Sequence, residues 1–300
     1  MQLLRDKMKQ RRRSVRNSLI SAPLLVMAAV AISLVSSCAR TESKPDKATM
    51  RNVSAAEPPR GKQTLVPVKV PAKEAKDTSI KRPRFPDPPW TVAKMVDAFG
   101  AITRKKFEGP CRAAGIPCPP VRLTFLAFKR ERLLEIWGAG EEGAYRKIGG
   151  YPILAASGGP GPKRREGDRQ VPEGFYDLPE LNPNSSLHLS IRIGYPNRDD
   201  IANAGIPVNA MGGDIYLHGK AASIGCIAVG DPAIEEIFTL VAQVTAPNRR
   251  IIISPVDFRR NPRPALPKEE KWVGDLYGRL SRALEAFPVA GAAGGAVRHP

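Results

Sequence analysis

Histidine and cysteine are scarce in this 300-residue chain, which has three of the first and four of the second. That leaves little from which to build a multi-metal protein, and the paired ligands of a structural zinc site are missing. Aromatic residues make up only 6% of the chain, and acidic residues are outnumbered 29 to 47 by Lys and Arg, for a formal charge of +18. The basic residues lie mostly near the N-terminus, in a Pro-rich stretch and in scattered loops. They are not interleaved with aromatics on one face, which argues against a nucleic-acid-binding role. What is plentiful is Pro (30) and Gly (26), too many for a mostly helical bundle. The 42% hydrophobic fraction supports a packed core.

The N-terminus has the layout of an export signal. Residues 1–18 carry Arg5, Lys7, Lys9, Arg11, Arg12, Arg13 and Arg16 against Asp6 alone, and residues 19–37 carry no charge. The run ends in Val35-Ser36-Ser37-Cys38, which resembles a lipobox in which Cys38 becomes the lipidated first residue. The other reading is a retained membrane helix just long enough to span a bilayer. Both put the rest of the chain outside the cytoplasmic membrane, anchored by lipid or by that helix, where nucleic acid is absent and the anions are lipid head groups, wall polymers and peptide carboxylates.

Residues 38–89 are rich in Pro and charge, with Phe85 as the one aromatic, and read as a disordered basic tether. Residues 90–257 read as one β-rich α+β domain. Thr91 caps a first helix with Val92, Met95, Val96, Phe99 and Ile102 on one face. Beyond it Cys111 and Cys118 bracket RAAGIP, and in an oxidising compartment they can pair or remain two free thiols. Strand patterns follow at 121–128, 133–137, 145–157 (bent or bulged at Gly149-Gly150), 187–195, 214–219 and 250–254. A helix over 231–244 is predicted with Asp231 as cap and Pro232 in its first position. Residues 258–287 read as a helical extension striped with Trp272, Leu276, Leu280 and Leu284, and 288–300 as a disordered tail.

The chemistry concentrates in Tyr216-Leu217-His218-Gly219-Lys220-Ala221-Ala222-Ser223-Ile224-Gly225-Cys226-Ile227. A thiol becomes a strong nucleophile once deprotonated, and a neighbouring imidazole is a suitable base. His218 ends a strand, and a short reversal through Gly219 and Gly225 can return Cys226 to its side. Backbone N–H groups around Gly225 and Cys226 are candidates for an oxyanion hole. By itself, a Cys near a His is as compatible with a core thiol and a satisfied histidine.

HGKAASIGCI resembles the active-site signature of the YkuD-type L,D-transpeptidases, and VPEGFYDL (171–178) resembles that family's Pro-x-Gly-x-Phe/Tyr segment. GPKRREGDRQVPEGFY (161–176), NPNSSLHLSIRIGYPN (182–197) and SIGC followed by Asp-x-Ala-Ile-Glu-Glu-Ile resemble the YafK murein-transpeptidase subgroup. The resemblance covers about 120 to 245 and implies a YkuD-like β-sandwich or barrel with a few flanking helices. It implies Cys226 as nucleophile and His218 as general base, with the Gly219 carbonyl or the Ser223 hydroxyl orienting the imidazole. It implies peptidoglycan stem peptides as substrate and no cofactor, neither metal nor nucleotide.

The sequence departs from the broader family's pattern. Ile224 and Ala228 stand where that family has a second His and an Arg, and the gap between His218 and Cys226 is shorter. The missing Arg's carboxylate contact would pass to Lys163, Arg164, Arg165 or Arg169, a set equally readable as a solvated loop. His188 would line the cleft as a donor or merely sit on its strand. Three functions compete: transfer of the acyl group to an amine; hydrolysis of stem peptides or of links between murein and an envelope lipoprotein; and an inactive wall-binding lipoprotein.

Overall fold

The computed structural model describes residues 82–266 and 270–289. The export segment 1–37, the lipidation candidate Cys38, most of the 38–89 tether and the tail from 290 lie outside the described residues. In chain order the elements are α1 (Val92–Ala114), β1 (Arg122–Phe128), β2 (Leu133–Ala139), β3 (Arg146–Pro152), β4 (Ala155–Ala156), β5 (Gly174–Asp177), β6 (Leu181–Asn182) and β7 (Ser190–Arg192). They continue with α2 (Arg198–Asn203), β8 (Tyr216–His218), β9 (Ile227–Ala228), α3 (Asp231–Ala242), β10 (Arg249–Ser254) and α4 (Lys271–Leu284).

The strands form two five-stranded mixed sheets, ordered β3-β2-β1-β10-β5 and β4-β9-β8-β7-β6. Each ends in two different edge strands, so neither closes on itself. The barrel half of the expected sandwich-or-barrel is therefore corrected to two open sheets. In the first sheet β1 pairs antiparallel with β2 and parallel with β10. Its central strands β1, β2 and β10 are largely apolar because both faces are covered. Leu123, Phe125 and Ala127 face the main core with α1, α3 and the second sheet, while Leu126 and Phe128 face Leu276, Leu280 and Leu284 of α4. Val273, not the half-buried Trp272, is the first fully buried residue of the α4 stripe.

Several predicted boundaries move, each for a local reason. Helix α1 starts as expected, with the Thr91 hydroxyl accepting from Lys94 N at 3.1 Å. It then runs through Cys111 to a left-handed Gly115, so Cys111 is a buried helical residue and Cys118 an exposed one, both free. The long strand at 145–157 is two, β3 in the first sheet and β4 in the second. The irregularity falls at Ile148, since Ile136 pairs with Gly149 and Trp137 with Lys147. The 187–195 strand shrinks to β7 because His188 adopts a left-handed φ of 78°. Gly230, not Asp231, is the residue before α3, and no side chain caps that end.

The tether gives way to packed chain before Trp90. Phe85 lies against Trp90 and Phe99, with ring centroids 5.9 Å away in each case, and 4.3 Å from the His188 ring. Arg82 forks onto α3, reaching Glu235 at 2.7 Å and Glu236 at 2.6 Å.

Candidate active site

Strands β8 and β9 pair in parallel, with Leu217 opposite Ile227 and His218 opposite Ala228. One step back, Cys226 falls opposite Tyr216. His218 ends β8 and Cys226 immediately precedes β9, so the parallel pairing puts the two residues on neighbouring stretches of chain, two positions apart in register. The frame is held by Val229 N donating to His218 O at 3.0 Å and Gly219 N donating to Leu189 O at 3.2 Å.

His218 is buried, at 1% exposure. Its Nδ1 lies 2.6 Å from the carbonyl oxygen of Gly219. A carbonyl only accepts, so Nδ1 carries the proton and Nε2 is left as the basic nitrogen. Burial pulls the imidazole below its ordinary pKa, partly opposed by the Gly219 bond. Of the two groups considered for orienting this ring, the Gly219 carbonyl does so. The Ser223 hydroxyl is committed elsewhere: it donates to Cys226 O at 2.7 Å and accepts from Ser157 N at 3.2 Å and Gly225 N at 3.3 Å. Ser223 thus pins the backbone that carries the thiol to the strand beside it.

Cys226 is partly buried, its Sγ 3.6 Å from the Asp214 carbonyl oxygen. Burial pushes the thiol up. The Tyr216 N–H and the Lys163 charge pull it down, and Asp214 pushes it further up. Both shifts favour the neutral forms of the two groups. Gly225 takes φ 128°, a conformation L side chains rarely adopt. Its N–H donates to the Ser223 hydroxyl at 3.3 Å.

The basic candidates disperse. Lys163 is buried, its Nζ donating to Asp168 Oδ1 at 2.8 Å and Arg165 O at 2.7 Å. Arg164 turns to α4, 3.0 Å from Glu270 and stacked 4.8 Å over Trp272. Arg165 and the left-handed Arg169 are exposed. Arg164, Arg165 and Gln170 help to line an open depression of about 540 Å³. The Gln170 carbonyl oxygen lies 3.5 Å from where a Cβ on Gly225 would stand. His188 does not offer a free donor to a cleft: its Nε2 meets Glu235 Oε1 at 2.8 Å and its ring packs on Phe85. Sequence reasoning missed Asp168, which binds the Lys163 ammonium and the Arg164, Arg165 and Gln170 N–H groups, Asp214, whose backbone carbonyl meets Cys226 Sγ, and the contact of Asp231 with Lys220 N.

The site thus sets a buried His, hydrogen-bonded to a backbone carbonyl at the end of β8, beside a strand entered through Gly225 and Cys226. The family model YkuD, the L,D-transpeptidase catalytic domain, matches residues 125–256, which include both side chains. Among curated proteins the chain is 40% identical over 117 residues to "Putative L,D-transpeptidase YafK" of Escherichia coli K12, an alignment covering 38% of this chain and 45% of that protein. The chain thus spans somewhat under half the length of the curated relatives it matches. Among solved structures, the helical cell shape determining protein Pgp2 from Campylobacter jejuni aligns at 24% identity and TM-score 0.38, over 45% of this chain and 48% of that one. Mycobacterium tuberculosis L,D-transpeptidase 1 aligns at 16% identity and TM-score 0.27, over 44% and 62% respectively.

Proposed function

We propose that the chain is a cysteine-dependent L,D-transpeptidase of the cell envelope that acts on peptidoglycan stem peptides. The observation that carries this reading is the Gly219 carbonyl fixing His218 as the Nδ1–H tautomer, two register positions from Cys226 across the β8–β9 pair. In the first step His218 Nε2 takes the thiol proton while Cys226 Sγ bonds to the carbonyl carbon of the third stem-peptide residue. The carbon–nitrogen bond to the terminal D-Ala breaks, and the imidazolium returns the proton to the leaving amine. In the second step an acceptor amine attacks the thioester, its proton passes to Nε2, the carbon–sulfur bond breaks and the thiol is restored. A neutral resting pair suits this sequence, because the proton moves only when substrate is in place. The Cys226 N–H remains as a donor to the developing oxyanion.

Residues 1–37 deliver the domain across the membrane and Cys38 or the apolar segment anchors it, with the basic tether spanning the gap to the wall. One departure favours a second acceptor. Ile224, 81% exposed beside the nucleophile, and Ala228 offer no polar group to hold an amine donor strand, so water can take the acyl group instead.

The test is purified protein incubated with tetrapeptide muropeptides and read by mass. Cross-linked dimers or exchanged D-amino acids are the expected products, and trimmed monomers alone would select hydrolysis. Cys226→Ala should remove the thioester mass and at least about 10³-fold of the rate while leaving the fold intact. Undiminished activity in that variant would end the proposal.

A further inference from the structure

The Gly219–Lys220 peptide group is gripped from both sides. Its carbonyl accepts from His218 Nδ1 at 2.6 Å, and its N–H donates to Asp231 Oδ1 at 2.7 Å. In a planar trans peptide these two groups point in opposite directions, so one rigid plate separates the imidazole from the carboxylate. We infer that Asp231, the first residue of α3, is a positioning residue that selects the reactive tautomer of His218 by holding this peptide against rotation. The inference rests on the catalytic reading of His218 given above.

Rotating the plate by half a turn would aim the Lys220 N–H at Nδ1 and the Gly219 carbonyl at Asp231. The first contact would force Nδ1 to accept, moving the ring proton to Nε2 and leaving no base toward the thiol. The second would set a carbonyl dipole against a carboxylate. Asp231 therefore penalises the unreactive orientation and bonds the reactive one.

Two further observations show that the orientation needs holding. Lys220 carries φ 54°, a left-handed conformation uncommon for a residue with a side chain and costly unless its surroundings enforce it. Its own ammonium is drawn off to Ser186 O at 2.7 Å. Gly219 has no room for a side chain: a Cβ there would stand 2.6 Å from Asp231 Oδ1 and 2.9 Å from Leu187 O. The absence of that atom is what lets the carboxylate close on the peptide. The carboxylate thus acts on the base through one intervening amide, a place in the chain where direct Asp–His contact is not found.

The experiment reads the tautomer itself, independently of turnover. Nitrogen–proton correlation of the His218 ring in the full-length protein should show Nδ1 protonated in the parent and in Asp231→Asn, whose amide oxygen can accept the same bond. In Asp231→Ala the Nε2–H form should gain population, with kcat down about tenfold or more, KM little changed, and activity largely restored in Asp231→Asn. Should Asp231→Ala fail to fold, Gly219→Ala drives the same wedge between plate and carboxylate and should shift the tautomer likewise. An unchanged ring tautomer in the folded variants would overturn the inference even where Cys226→Ala is inactive. A shifted tautomer alongside an active Cys226→Ala would sink the proposed function, and with it the catalytic meaning of the contact, while Asp231 control of the ring tautomer itself would stand.

Discussion

The two sheets are built to different rules. Strands β1, β2 and β10 of the first run six or seven residues, pair in regular ladders, and bury both faces. Strands of the second run two or three residues, and three of the residues at their margins, His188, Asp214 and Lys220, hold left-handed backbone. The candidate residues His218 and Cys226 lie in or immediately beside the second sheet. Long ladders leave no freedom to turn a carbonyl toward an imidazole. Short strands ending in strained residues do, provided a rigid partner holds them in place.

The largest effect tests the first sheet as that partner. Phe125→Ala removes a fully buried ring from the middle of β1 and should cost about 3–5 kcal/mol of stability in urea unfolding. A loss below about 1 kcal/mol would mean that this sheet is not the scaffold. Gly225→Ala probes the second sheet. A methyl group at φ 128° should cost about 1–3 kcal/mol, yet activity should fall by far more than stability, since the turn sets the position of the sulfur. Equal proportional losses would remove the distinction between the sheets.

Thiol reactivity sharpens the contrast without mutation in either core. Cys111, buried in α1 beside Cys118, is pushed up to about 12 and should resist alkylation in the native protein. Cys118 is exposed and should react. Burial raises the Cys226 thiol while lowering the His218 imidazole, so with Cys38 and Cys118 both changed to Ser, Cys226 should alkylate slowly at pH 7 and faster as pH rises toward 9. Rapid reaction at pH 7 would show a resting thiolate and contradict the neutral pair.

The same contrast explains what could be read from the residues. Leu123–Phe128 and Ile251–Ile253 announce strands because burial on both faces demands apolar side chains at nearly every position, Thr124 being the exception. The Thr91 cap and the α4 stripe are local and were legible too. His218, Gly225 and Cys226 stood out because their chemistry is rare in this chain. Their supports did not. Lys220's left-handed backbone, the Ser223 bond to Cys226 O and the Asp231 bond to Lys220 N depend on backbone direction, which side-chain patterns do not encode. Asp231 looked like a helix cap because Asp before Pro is a good cap. Only the path of the Gly219 turn shows that its carboxylate faces the other way. His188 looked available for a cleft until Phe85, from a segment read as tether, was found packed on its ring.

The smallest effect is a pair of opposed pH slopes. Burial holds the folded His218 imidazole below its ordinary 6.5. Above that pH both folded and unfolded chains leave it neutral, and it adds no pH dependence. As pH falls below 6.5 the unfolded chain takes up the proton first, so this group makes stability decline toward acid. Asp200, whose carboxyl accepts from Tyr176 and the Asn197 N–H, is raised by burial from 3.8 to about 6. Between those values the unfolded carboxyl ionises while the folded one keeps its proton, so this group makes stability decline as pH rises. The window from about 4 to 6 therefore contains two opposing slopes, each bounded by one proton, or about 1.4 kcal/mol per pH unit. Urea melts at pH 4, 5, 6 and 7 should show a steeper acid loss in Asp200→Asn and a shallower one in His218→Gln than in the parent. Identical slopes in the two variants would mean that neither group is desolvated as its surroundings require, and the buried base would lose its physical basis.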